Sequence, residues 1–588
     1  MTTGHSSLIL DHQDIHQDRH QDAVSERGTT VAHTILRTLR RLGADRLFGI
    51  PGGTISPLYD AALDVESGIE ILTFQHESMA VHAAAGYALA TGRPGVVLVT
   101  SGPGILNAVT GVASTWCGEV PLLLLGGEVA ARSAGRGALQ DGGALGLDLE
   151  RLLAPVTKRT EGLAHASRTV PMLEQAWAAA LSHPRGPVFL RLPFDLAREE
   201  AGAPERSPVA LTLPPEPDDA ACRRIATWLA EAERPALFIG VGARQSAAGQ
   251  ALARLAEAAG CPVIADVEGK GVYPESRPLC LGVYGVGARG PAARYLAAGV
   301  DLLITVGARL DDTTTMNFGP VFARAGRLVQ LDHTAARLGR AFTPALAMAC
   351  DLPAALERIA GALPPIAPER LWARRETAGA LRAAGSGAET ALRPAAGPPH
   401  DPRQATIALR RAFGPGAAFT ADIGNHLLFA AQELTSERAE DFHAAIGLGS
   451  MGSGIGTAIG LQLAWGRTRQ VVSICGDGGL LMAGNEIATC AHYGIPLAIA
   501  VFNDGQLGMV EHGLHNVYGR AGDNRTPPLD IASYATSLGA LAARVDDLAA
   551  LEAIAAWPRG NRPLVLDIPV DPAVRASNPR EATLNFSD

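Results

Sequence analysis

Short apolar runs that stop at glycine turns, each followed by a helix-like stretch, recur along this chain, and that alternation restricts its fold more than any other feature. "DRLFGI" runs into the turn "PGG" (51–53), "PGVVLVT" into "SGPG", and "VVSICG" into "DGG". Between such runs, "VAHTILRTLRRLG" and "ESMAVHAAAGYALATG" read as helices. The pattern predicts the α/β class, with doubly wound, mostly parallel sheets covered by helices on both faces. A chain of 588 residues exceeds one hydrophobic core. Two looser stretches divide it: "REEAGAPERSPVALTLPPEPDD", and 364–400 with "LPPIAPER" and "RPAAGPPHDPR". Three domains are therefore expected, at 29–195, 216–363 and 401–572. The first and third share an outline of strand, glycine-rich turn and helix.

Charge and composition narrow the function. A net charge of −9 without a lysine/arginine block argues against a nucleic-acid groove. Apolar runs such as "VPLLLLGG" are strand-sized, well short of the ~20 residues of a membrane helix, so no membrane span is expected. Seven scattered cysteines without a CxxC pair suggest a reduced, cytoplasmic protein with neither a disulfide framework nor a zinc site. Residues 1–28 differ from the rest. "DHQDIHQDRHQD" would place His12, His16 and His20 on one face of a helix, a metal-binding pattern, but its polarity reads first as a disordered tail.

Two stretches match GxGxxG, Gly447–Gly452 and Gly285–Gly290. Neither has the context of a nicotinamide site, which wants a strong strand before the motif and an acidic residue ~20 positions after it. A different pair of turns is more telling. The apolar run Val471–Cys475 ends at Gly476-Asp477-Gly478, and Pro496–Phe502 ends at Asn503-Asp504-Gly505. Oxygen-bearing side chains at the carboxyl ends of neighbouring strands, flanked by glycine, suit a magnesium ion shared with a bound phosphate. On this reading Asp477, Asn503 and the backbone carbonyl of Gly505 are the metal ligands.

At this point the sequence resembles the thiamine diphosphate enzymes, whose signature is GDG followed one helix later by an asparagine. "FGIPGG", "QHESMAVHAAAGYALATGRPGVVLVTSGPGILNAVTGVA", "VTKRT", "DIGNH", "GLGSMGSGIGTAIG" and "NDGQLGMV" are similar to the acetolactate synthase branch, in order and over nearly the whole chain after residue 28. The resemblance implies pyrimidine-binding, central and diphosphate-binding domains. It implies that Glu77 in "QHESMA" is the carboxylate that hydrogen-bonds the cofactor's aminopyrimidine. Met451 would wedge the cofactor into a bent shape and the carbonyl of Gly449 would accept its amino group. Gly424, Asn425 and His426 would hold the diphosphate. Gly476, Gly478, Gly479, Asn503, Gly505, Gln506, Leu507 and Met509 would complete the cofactor site. Gly52, Gln140 and Lys158 would line the reaction space.

The same resemblance implies thiamine diphosphate and Mg2+ as cofactors, and a homodimer or tetramer with active sites at the subunit interface. It implies a carboligase: a 2-oxo acid, pyruvate first among them, loses CO2 and the resulting enamine adds to a second carbonyl. Thr100 and Gln140 stand where simple decarboxylases of the superfamily carry histidine proton donors, which favours a carbonyl acceptor. A 2-oxo acid decarboxylase or an acyl-transferring lyase is the alternative. Departures from the synthases lie at Gly513, near the position of a tryptophan, and at Leu139, in place of an aromatic residue. FAD stays open: "GARLDD" (307–312) resembles the flavin-contacting run of the synthases, whereas "LDHTAARLG" departs from theirs.

Overall fold

A computed structural model of the chain describes residues 29–64, 68–201, 213–288, 290–386, 397–557 and 560–576. The histidine-rich tail at 1–28 lies outside the described residues. Three six-stranded sheets follow one another along the chain, and every strand pair is parallel.

The first sheet holds β1 (Arg46–Gly49), β2 (Glu70–Thr73), β3 (Gly95–Val99), β4 (Leu122–Glu128), β5 (Thr160–Gly162) and β6 (Pro187–Pro193), in the order β2-β1-β3-β4-β6-β5. The second holds β7 (Pro235–Ile239), β8 (Val263–Ala265), β9 (Cys280–Val283), β10 (Leu302–Val306), β11 (Leu328–Asp332) and β12 (Leu346–Ala349), in the order β12-β11-β10-β7-β8-β9. The third holds β13 (Ala418–Ala421), β14 (Phe442–Ala444), β15 (Val471–Gly476), β16 (Ala498–Asn503), β17 (Leu541–Arg544) and β18 (Leu564–Pro569), in the order β14-β13-β15-β16-β18-β17. The first and third sheets therefore share one topology. The central strands β3, β4 and β10 are buried at every residue, which is why they read as unbroken apolar runs.

The stretch 364–400 is not a plain connector. Pro368–Ser386 is a helix, and the buried guanidinium of Arg374 donates to the carbonyls of Ala259 and Leu229 in the second block. That side chain satisfies carbonyls of other elements, so the helix docks through a polar anchor as well as through Ala378 and Leu381, which pack on the core of the second block.

The first and third blocks share a core. Residues from Phe48 to Phe189 and from Ile455 to Val565 form one apolar cluster. At its centre the Glu77–Thr91 helix, apolar on all sides and buried from Glu77 to Ala88, packs on the Ser453–Trp465 helix. The backbones approach closely because glycine stands at the crossing: a Cβ on Gly460 would lie 1.9 Å from the carbonyl oxygen of Ala83, and one on Gly86 would lie 2.1 Å from that of Thr457. Gly460→Ala must force the two helices apart. Overpacking of this kind costs about 1–3 kcal/mol, and a lowered urea midpoint measures it; an unchanged midpoint would contradict the crossing.

Candidate functional site

Two clusters of the expected residues form, both at carboxyl ends of parallel strands, where open α/β sheets bind ligands. The first lies in the N-terminal block. Glu77 opens the helix after β2, with His76 as its N-cap, and Asn107 Nδ2 donates to Glu77 Oε2 at 3.1 Å. Glu77 Oε1 faces Gly104, 3.5 Å from where a Cβ would sit. Gly52 abuts Thr100, since an added Cβ would lie 2.5 Å from the Thr100 Cβ. Thr100 Oγ1 is 2.9 Å from Thr54 Oγ1, and Ser101 Oγ donates to the Gln140 carbonyl at 2.7 Å. Gln140 itself has a positive φ of 64°, held by that bond in the loop after β4. Gly52, Thr100 and Glu77 thus lie close together about Gly104, with Gln140 against the neighbouring Ser101 and Gly102.

Lys158 is placed differently. Its Nζ donates to the carbonyls of Ala179 and Ser182, at the end of the Thr169–Leu181 helix, and its stem lies against Gly186. An ammonium at a helix C-terminus is well compensated there. It is not among the groups around Glu77.

The position of Glu77 also depends on the third block. Glu486 Oε1 accepts from the backbone amides of Gln75 at 3.0 Å and His76 at 3.1 Å. Burial raises the Glu486 carboxyl from 4.5 to about 7. Because the folded value lies above the unfolded one, the proton on Glu486 favours the folded chain at low pH, and that contribution is lost as pH rises towards 7. Glu486→Gln keeps the acceptor oxygen and removes the titration. Its urea midpoint relative to the natural chain should therefore climb across this pH range; a constant difference would contradict the assignment.

The second cluster is a cleft of about 120 Å³ in the C-terminal block. Its lining includes Gly424, Asn425, His426, Met451, Gly476, Asp477, Gly478, Gly479, Gln506, Leu507 and Met509. β15 passes directly into a helix at Asp477. Gly478 keeps the cleft open, since a Cβ there would meet Leu507 at 2.7 Å and Met451 at 3.3 Å. His426 is buried with Nε2 unpartnered, and burial lowers its pKa to about 4, so the ring is neutral. Asp422 accepts from the amides of Gly452 at 2.8 Å and Gly454 at 3.1 Å and so fixes the turn carrying Met451. Gly449 precedes this turn and does not line the cleft.

Two of the expected metal donors point elsewhere. Asn503 Nδ2 donates to Asp567 Oδ1 on β18 at 3.0 Å, and the Gly505 carbonyl accepts from the amide of Thr526 at 3.0 Å. Side chains alternate along a strand, so if Asn503 turns to Asp567 its successor turns the other way. That successor is Asp504, whose carboxylate faces Asp477 across the cleft. Burial first, and Asp477 second, raise the Asp504 carboxyl to about 7. Asp477 Oδ2 accepts from Thr526 Oγ1, while Asp477 Oδ1 is buried without a partner. Two facing carboxylates, Asp477 buried with an orphaned oxygen and Asp504 half-buried, make a site that a divalent cation would neutralise. Asp504 stands next to Asn503 in the sequence; Thr526, on a loop 49 residues from Asp477, left no local signal.

Comparisons with known proteins agree with this geometry. Three family models match, described as thiamine pyrophosphate enzyme N-terminal TPP binding domain (29–145), central domain (222–359) and C-terminal TPP binding domain (422–568). The chain is 32% identical to an acetolactate synthase large subunit of Parasynechococcus marenigrum, over 92% of this chain and 87% of that one. It is 32% identical to an acetolactate synthase large subunit of Lactococcus lactis, over 84% of each. It is 31% identical to a probable acetolactate synthase large subunit of Methanocaldococcus jannaschii, over 92% of each.

Proposed function

The chain belongs to the thiamine pyrophosphate enzyme family, and on that premise we propose that it is a carboligase of the acetolactate synthase type. It takes a 2-oxo acid, pyruvate first among them, releases CO2 and joins the remaining acyl unit to a second carbonyl compound. The observation that supports the cofactor best is the Asp477–Asp504 pair with its orphaned oxygen.

Asp477 and Asp504 are the side chains we assign to magnesium. The third donor is the carbonyl of Gln506. Thr526 N–H bonds the Gly505 carbonyl and Leu507 N–H bonds the Asn524 carbonyl, so in the antiparallel bridge of Gln506 with Arg525 the polar groups of Gln506 face away from Arg525. Its N–H reaches the Asp504 carboxylate, and its carbonyl lies on the same side. His426 Nε2 and the glycine turn at 476–479 suit a diphosphate, as a neutral donor and close backbone do. Met451 and Leu507 supply apolar contact between which a ring can be held.

Thiamine diphosphate, when bound, supplies the carbanion that attacks the 2-oxo acid and the electron sink that lets CO2 leave. Glu77 is the group that shares a proton with a ring nitrogen: Asn107 occupies Oε2 and leaves Oε1 towards the reaction space. Thr100 and the Gln140 loop border that space with hydroxyl and amide groups, which favours an incoming carbonyl over a protonating imidazole.

No residue of the N-terminal block lines the Asp477 cleft. Leu139 (87% exposed) and Leu145 (86%) leave apolar surface beside Gln140, and Leu448 and Met482 do so beside Met451. We therefore place the complete site between the Glu77 cluster of one copy and the Asp477 cleft of a second, in a homodimer or tetramer. All seven cysteines are free, and no helix among the described residues is long and apolar enough to cross a membrane, which suits a cytoplasmic enzyme.

Subunit mixing tests the arrangement. Glu77→Gln and Asp477→Ala proteins, each inactive alone, should regain pyruvate consumption when unfolded and refolded together, because mixed dimers carry one intact site. No recovery in dimers shown to be mixed would overturn the shared site, and turnover independent of added thiamine diphosphate and magnesium would overturn the cofactor.

A further inference from the structure

In the central sheet the first strand, β7, lies between β8 and β10, so the topological switch falls between β7 and β10. A flavin dinucleotide would lie there, its diphosphate on free amides of the glycine turn after β7. Three amides there are spent. Gly240 N–H donates to the Val306 carbonyl at 3.1 Å, Gly242 N–H to the Gly307 carbonyl at 2.8 Å, and Ala243 N–H to the Gly240 carbonyl at 3.1 Å. The loops after β7 and β10 abut, since a Cβ on Gly242 would lie 2.7 Å from the Gly307 Cα.

Carboxylates occupy the rest of this strand end. Asp266 and Glu268 follow β8, and burial pushes both carboxyls up. Arg309 of "GARLDD" is committed to Glu268, NH1 to Oε2 at 2.9 Å, and Asp311 caps its own helix through the Thr314 amide at 2.9 Å. At the end of β11, Asp332 lies 3.6 Å from Arg337, beyond hydrogen-bond reach, and His333 Nε2 is 2.9 Å from Glu119 Oε2. Arg337 also pairs with Glu119, which ends the Pro103–Gly118 helix of the N-terminal block at a positive φ of 51°. An adjoining cavity of about 180 Å³ is lined by Arg185, Arg244, Glu119, Glu268 and Glu440. Arg244 already donates to the carbonyls of Phe442 and Lys270. Arg244, Arg309 and Arg337 are each committed to groups of the protein and are not free to meet a diphosphate.

We propose that this chain works without FAD, and that the Glu119–His333–Arg337–Asp332 cluster takes the structural place of the flavin by tying the central domain to the N-terminal one. Buried ion pairs of this kind are strongly destabilised when one partner is removed. The inference concerns flavin content alone and does not depend on which product the enzyme makes.

The test uses the full-length enzyme from cells fed riboflavin. Flavin released by acid should be far below one per chain, and titration with FAD should show neither saturable binding nor a raised thermal midpoint. Glu119→Gln should lower the midpoint, with no recovery on adding FAD. One FAD per chain, a midpoint raised by FAD, or an unchanged midpoint in Glu119→Gln would overturn the proposal.

Discussion

Glu77→Gln is expected to leave a folded protein that binds thiamine diphosphate and magnesium and yet loses turnover of pyruvate by about 10²–10⁴-fold, the usual worth of a positioned acid–base group. Glutamine retains the shape of the side chain and an acceptor for Asn107 Nδ2, so the start of the Glu77–Thr91 helix should survive. What it cannot do is exchange a proton at Oε1. Exchange of the cofactor's C2 proton for deuterium, followed by NMR, should slow with turnover, whereas cofactor affinity should change little. Loss of affinity with exchange intact would assign Glu77 to binding rather than proton transfer.

Asp504→Ala and Asn503→Ala should separate cleanly. Removing Asp504 takes one of two facing carboxylates from the cation site, and magnesium affinity should fall by about 100-fold or more, beyond the usual loss for a merely supporting partner of a ligand. Asn503→Ala instead leaves Asp567, buried on β18, without one donor, at a cost of about 1–3 kcal/mol in stability. Its magnesium affinity should stay close to that of the natural chain. Isothermal titration with magnesium, beside urea unfolding, reads both effects, and the opposite result would restore Asn503 as the ligand.

The contrast between these neighbours shows how far the sequence could be read. β16 is buried at Ala498–Phe502, so its apolar run carries no alternation from which to learn which face Asn503 takes. The parallel α/β class, by contrast, is written in such runs and in the glycine turns that end them. The shared strand order of the first and third sheets was only hinted at by their common outline, because order depends on pairing between distant strands. The Pro368–Ser386 helix was hidden since its polar anchor is Arg374, a charged residue whose partners lie more than a hundred positions earlier. Lys158 read as a reaction-space residue from its setting in "VTKRT", but its carbonyl partners come from a helix end that local spacing does not reveal.

Glu77 was singled out by the resemblance of "QHESMA" to the family, and the structure adds what holds it: Asn107 from the next helix, and Glu486 from the third block at the amides just before it. Asp477 was singled out by its glycine turn, whereas Asp504 across the cleft was not.

The most direct measurement is the identity of the product formed from pyruvate alone, with thiamine diphosphate and magnesium present, by NMR of a carbon-labelled substrate. The carboligase reading predicts acetolactate, with one CO2 released for every two pyruvates consumed. Acetaldehyde as the main product, with one CO2 for each pyruvate, would contradict it.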